Sequence, residues 1–170
     1  MDLQEFNALP ADELRPQLAA CCDVPRWVDH LLAGRPYADS AALVGAADAV
    51  SRDLTDAEVA QALAAHPRIG DRADGDTTEA SWSRKEQSGV GDDPAIRAAL
   101  AAGNRAYEQR FNQVFLICAT GLTADQMLTA LHDRLKNDPT TEATVVRTEL
   151  RKIAALRLTN LVPATKEIPA

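Results

Sequence analysis

An imidazole and a carboxylate are the side chains most used to move protons near neutral pH, and this chain carries one of each in neighbouring segments. His66 lies in Ala65-His66-Pro67-Arg68-Ile69-Gly70, and Glu86 in Ser83-Arg84-Lys85-Glu86-Gln87. Each also has a purely structural explanation. His66 follows Leu63 by three residues and Val59 by seven, so it faces the apolar side at the end of a helix. A helix C-terminus favours a histidine through its dipole, and Pro67 stops the helix. Ser83 to Glu86 matches a capping box, in which the serine and the acid satisfy free backbone amides reciprocally. Gln87 follows with an amide that can donate and accept at once. His30 and His132 sit among charged or helix-surface neighbours and read as surface positions.

A third candidate is Arg157, which occupies a stripe formed by Val146, Leu150, Ile153 and Leu161 where the pattern calls for an apolar side chain. Its planar fork suits a carboxylate or a ureido oxygen. The alternatives are snorkelling to the surface or an internal pair with an acid such as Glu149 of a neighbouring helix. Arg147 and Arg151 read as solvent-facing. Other chemical templates fail: there is no Gly-rich phosphate loop, no Gly-x-Ser-x-Gly elbow, no His-Glu-x-x-His helix and no lysine set in an apolar pocket. An enzyme built on this chain is expected to work without metal or cofactor.

The elements that must position these groups read as helices. Asp23 before Val24-Pro25 predicts an N-cap, with the helix closing near Gly34. Ser40 opens the next, and Thr55-Asp56-Ala57-Glu58 and Thr123-Ala124-Asp125-Gln126 are capping boxes. A long helix is predicted from about Pro94 to Phe115, with Ile96, Leu100, Tyr107, Phe111 and Val114 on one stripe. Its end merges into the apolar run Val114 to Ala119, read as a buried helix end followed by an extended turn. Asp138-Pro139 starts the last helix. The polar stretch from Asp71 to Glu79 is the one loop of note, joining the two opening segments. An all-α bundle of about eight helices is expected, with one domain over 1–161 and a poorly ordered tail over 162–170.

Composition agrees. Hydrophobic residues make up 46% of the 170, yet aromatics only 4%, so the core must be Ala, Leu, Val and Ile packed between close helices. The net charge of -7 and pI near 4.9 give no electrostatic footprint for nucleic acid and leave a small polar ligand as the expected partner. Cys21, Cys22 and Cys118 are odd in number and lack zinc-ligand spacing, which suits a reducing compartment. No apolar run approaches a membrane span, the start Met1-Asp2-Leu3-Gln4-Glu5 lacks a signal-peptide pattern, and Glu167-Ile168-Pro169-Ala170 is not a peroxisomal signal. A cytoplasmic protein is expected.

Four ordered segments carry a resemblance. Ala65-His66-Pro67-Arg68-Ile69-Gly70, Ser83-x-x-Glu86-Gln87, Phe115-Leu116-Ile117-Cys118-Ala119-Thr120-Gly121 and Glu149-Leu150-x-Lys152-Ile153-x-x-Leu156-Arg157-Leu158 together resemble the 2-oxo-4-hydroxy-4-carboxy-5-ureidoimidazoline (OHCU) decarboxylases, which close the route from urate to allantoin. The likeness runs from Trp27 and Arg35-Pro36-Tyr37 to Leu161. It implies an all-α homodimer without cofactor, in which His66 is the acid/base and Pro67 shapes the pocket wall. Ser83, Glu86 and Gln87 would contact the ring and ureido group, Phe115, Leu116, Ile117, Cys118 and Ala119 would line the floor, and Arg157 would hold a charged or carbonyl oxygen. Leu122 departs from the family pattern, which often has a basic residue after Gly121, and this bears on the pocket rim. Outside the resemblance stand a helical interaction module without catalysis and a hydrolase of a ureido compound with His66 as base.

Overall fold

A computed structural model describes residues 1–71 and 78–164, and among these residues all regular structure is helical. The α-helices are α1 (Leu3–Ala8), α2 (Ala11–Cys21), α3 (Pro25–Ala33), α4 (Ser40–Arg52), α5 (Asp56–Ala64), α6 (Thr78–Glu86), α7 (Pro94–Phe111), α8 (Ala124–Arg134) and α9 (Pro139–Leu161), with a 3₁₀ turn at Ser88–Val90. The all-α expectation holds, with nine helices among the described residues where about eight were expected. Most of the predicted polar loop, 72–77, lies outside the described residues, as does 165–170 of the predicted tail. Val162, placed at the start of that tail, is itself buried.

The chain divides into two units, one of residues 1–58 with those from 151 onward, the other of residues 59–150. In the first, α2, α3 and α4 pack in succession. Trp27 is fully buried there, and its indole N–H donates to Ser51 Oγ at 2.9 Å, which removes the cost of burying that polar edge. Helix α3 starts at Pro25 as predicted, but its cap is Val24 rather than Asp23. Val24 is still extended and its carbonyl already accepts the first helical bond, from Val28 N at 3.1 Å. Asp39 caps α4, its carboxylate accepting from Ala42 N at 2.7 Å. The Thr55–Glu58 capping box forms, with Thr55 N donating to Glu58 Oε2 at 2.7 Å. Arg26 adds a two-pronged contact to the same carboxylate and, with Thr55, holds it at about 2.

In the second unit α7 lies against α8. Their close approach depends on Gly103, where a Cβ would come within 2.4 Å of the Leu131 side chain. Asp93 caps α7 with Pro94 in its first turn, and the Thr123–Gln126 capping box opens α8. One core forms around Ile69, Val90, Leu100, Tyr107, Phe115, Ala119, Met127 and Leu131, and Ile96 and Phe111 pack against it from α7. Each such large side chain contributes roughly 1.5–3 kcal/mol when fully buried. The prediction that α7 reaches Phe115 is corrected: it stops at Phe111, because Asn112 turns left-handed (φ 53) and closes the helix with a bond to Glu108 O at 2.8 Å. That turn lets Phe115 fold back edge-on against Tyr107, with ring centroids 5.3 Å apart.

Candidate active site

His66 follows the last turn of α5, and its Nδ1 lies 2.8 Å from Ala62 O, a carbonyl of that turn that also accepts from Ala65 N at 3.3 Å. A carbonyl only accepts, so this contact assigns the proton of the neutral ring to Nδ1 and its lone pair to Nε2. The structural explanation of His66 therefore holds for one nitrogen, which finishes the helix, while Nε2 is buried. The next residues run without regular structure through half-buried Pro67 to Gly70, and Ile69 is sunk in the core. Gly70 has φ 91, a conformation that side-chain-bearing residues rarely adopt.

The capping-box reading of Ser83 to Glu86 is overturned. Helix α6 is already formed by Thr78, so Ser83 lies well inside it, 2% exposed, and Glu86 is its last residue. Three residues apart, the two share one helix face. Glu86 is half-buried, and a carboxylate at a helix C-terminus works against the dipole. Gln87 comes directly after the helix and turns its amide onto the His66 segment: Oε1 accepts from Gly70 N at 2.9 Å, and Nε2 lies 3.5 Å from Arg68 O. A cavity of about 310 Å³ opens beside this contact, lined by Gly70, Gln87, Arg84 and Arg97 among others. His66 and Glu86 are not among its lining residues.

The third segment, Phe115 to Ala119, has no regular structure, and side chains of α8 and α9 bind two of its backbone groups. Arg134 donates to Leu116 O, and Glu149 Oε2 accepts from Cys118 N at 2.8 Å. The Arg134 guanidinium lies 4.7 Å from the Phe115 ring centroid and donates to Glu142 Oε1 through Nε at 2.8 Å and Nη2 at 2.6 Å. Tyr107 donates its hydroxyl to the same Glu142 oxygen, and Asn137 donates to the other at 2.8 Å. Burial, together with that bond, pushes the Tyr107 hydroxyl up to about 12. Phe115, Leu116 and Ala119 are buried, whereas Ile117 and Cys118 are partly exposed.

Arg157 belongs to the other unit. It is 1% exposed, so snorkelling is excluded, and Nη1 donates to Ala20 O at 3.0 Å. Glu149 is on Arg157's own helix, not a neighbouring one, and reaches Cys118. Arg151 is likewise corrected from solvent-facing to partly buried, paired with Asp48 at 2.6 Å. Among the described residues no group of three or more His, Cys, Asp or Glu is placed to hold a metal ion, and no helix is long and apolar enough to cross a membrane.

Sequence reasoning missed Asn104, Arg134 and Glu142 and gave Glu149 a different partner; all four are buried, and three of them are bonded to the two irregular segments. The signal that found Arg157 was present for three of them. Asn104 lies between Leu100 and Tyr107, Arg134 continues the Met127–Leu131 stripe, and Glu142 extends the Val146–Leu150 stripe backwards by one turn.

Comparisons with known proteins bear on the family and the fold. The family model of OHCU decarboxylase matches residues 7–159. The 2-oxo-4-hydroxy-4-carboxy-5-ureidoimidazoline decarboxylase of Amia calva is 28% identical over 171 residues, covering 97% of this chain and 98% of its own. The uric acid degradation bifunctional protein TTL of Arabidopsis thaliana is 28% identical over 145 residues, 83% of this chain, and the match spans 45% of that longer protein. A crystal structure of OHCU decarboxylase in the presence of (S)-allantoin superposes with a TM-score of 0.73 at 26% identity, covering 86% of this chain and 96% of that one.

Proposed function

The chain belongs to the OHCU decarboxylase family, and from that premise we propose that it removes carbon dioxide from 2-oxo-4-hydroxy-4-carboxy-5-ureidoimidazoline to leave (S)-allantoin. His66 supports this most: Ala62 holds Nδ1, which fixes the tautomer and makes Nε2 the basic nitrogen. Breaking the bond between the ring carbon and its carboxylate releases an electron pair. The adjacent ring imine accepts it, and the ring nitrogen takes up a proton. The substrate thus supplies its own electron sink, the service for which other decarboxylases employ a cofactor.

Glu86 orients the hydroxyl and ureido nitrogens, and His66 exchanges the proton, delivering it to the ureido-bearing carbon as the neighbouring hydroxyl becomes a carbonyl. Delivery from one face gives a single enantiomer. Arg157 fixes a charged or carbonyl oxygen until the carboxylate leaves. Ser83 and Gln87 complete the ring side, Pro67 the wall, and Phe115 to Ala119 the floor. We place the enzyme in the cytoplasm as a homodimer, in line with the same family resemblance.

Freshly prepared substrate, followed by carbon dioxide release and by optical rotation, tests the reading. Accelerated release with one allantoin enantiomer is expected. Racemic product at the spontaneous rate would refute it, and ureido cleavage without carbon dioxide release would point to a hydrolase.

A further inference from the structure

Asn104 sits in the middle of α7, 2% exposed, at a position where an amide favours neither the helix nor the core around it. Its Nδ2 donates to Ile69 O at 2.8 Å, and its Oδ1 has no partner among the described residues. A buried amide that satisfies only part of its bonding capacity is a poor choice for stability. What it does hold is the backbone three residues after His66. The rest of that backbone is tied in the same way. Gly70 N donates to Gln87, Gly70 O lies 3.5 Å from Arg97 Nη1, and the Arg68 guanidinium meets the Glu108 carboxylate, with Nη2 at 2.9 Å from Oε2. Arg97, Leu100, Asn104 and Glu108 recur along α7 at the spacing of one helix face, so this face serves as a template for segment 68–70. Asn104 is the buried polar member of the set.

We propose that Asn104 is a positioning residue for the decarboxylation: its bond to the Ile69 carbonyl fixes the segment on one side of His66 while Ala62 O holds the ring on the other. The inference rests on His66 being the acid/base of the reaction. Without the bond the segment gains freedom at Ile69 and the imidazole loses its register, which lowers the rate of proton delivery more than it lowers affinity.

The test is Asn104→Leu, which keeps the volume and removes the donor. In a variant whose far-UV circular dichroism matches the wild type, kcat is expected to fall about 10- to 100-fold with KM near its original value. Wild-type kcat in the folded variant would overturn the proposal, as would a loss confined to KM. Imidazole ¹⁵N shifts provide a readout that needs no turnover. A fall in the Nδ1-protonated population of His66 supports the proposal, and an unchanged spectrum contradicts it. If Asn104→Leu does not fold, Asn104→Asp decides. A carboxyl can donate to the Ile69 carbonyl only when protonated, so its kcat relative to the wild type should rise as the pH falls, and a flat ratio would overturn the proposal. Absence of turnover by the wild-type chain would instead refute the decarboxylase reading itself and leave the ¹⁵N experiment standing.

Discussion

Residues 115–119 lie over a charged cluster that is almost wholly buried, whereas residues 66–70 are tied by neutral amides and by an ion pair that water reaches. Arg134 and Glu142 have side-chain exposures of 9% and 1%, against 50% and 25% for Arg68 and Glu108. The two segments face the same physical problem, an irregular backbone with polar groups that must be matched. Their solutions differ in what failure costs. Removing one member of a buried ion pair strands a charge in a poor solvent, while losing a neutral amide leaves an unmatched carbonyl at about 1–3 kcal/mol and losing an exposed pair costs less still. Segment 115–119 is therefore costly to disturb, and the outer ties of segment 66–70 are cheaper to lose.

The largest effect is expected at the floor. Arg134→Ala should destabilise the protein by about 3–5 kcal/mol, because Glu142 is left buried without its cation. The double change Arg134→Met with Glu142→Leu should recover part of that loss, since no charge is left buried while Leu116 O and the Tyr107 hydroxyl lose their partners. Urea unfolding midpoints check both. A single variant as stable as the wild type would remove the distinction between the segments.

Glu149→Gln should cost about 1 kcal/mol, the difference between a charged and a neutral acceptor for Cys118 N. Amide hydrogen exchange at Cys118 should quicken, and unchanged exchange would show that the floor does not depend on this bond.

The smallest effect belongs to Arg68 and Glu108. Arg68 holds the Glu108 carboxyl below its usual value of 4.5, so the folded chain binds fewer protons there than the unfolded chain. The pair's contribution is present in full above 4.5 and fades as the pH falls through the lowered folded value. Because the pair is exposed, solvent screening keeps its contribution small. Stability of Glu108→Gln should therefore trail the wild type slightly at neutral pH and converge with it in acid. A gap that widens on acidification would contradict this.

Much of the molecule was legible in the sequence because helix punctuation is local. Thr55, Thr123, Pro94 and Pro139 each start a helix where the pattern puts one, and the Leu100–Tyr107 stripe does face a core. The errors came where distant partners decide. Nothing near Ser83 shows that α6 begins upstream at Thr78, and nothing near Phe115 shows that the ring turns back onto Tyr107 instead of continuing the helix. Asn104, Arg134 and Glu142 were overlooked for a different reason: the stripes were read for their apolar members, and the polar residues within them are the ones that bind the irregular segments.

The most direct test of the central claim, that His66 delivers the proton that sets the handedness of the product, is the allantoin formed by His66→Ala from fresh substrate. The account predicts a far-UV spectrum like the wild type, formation of (S)-allantoin slowed by about 10²- to 10⁴-fold, and a racemic product. A folded His66→Ala variant that still yields (S)-allantoin at the wild-type rate would contradict it.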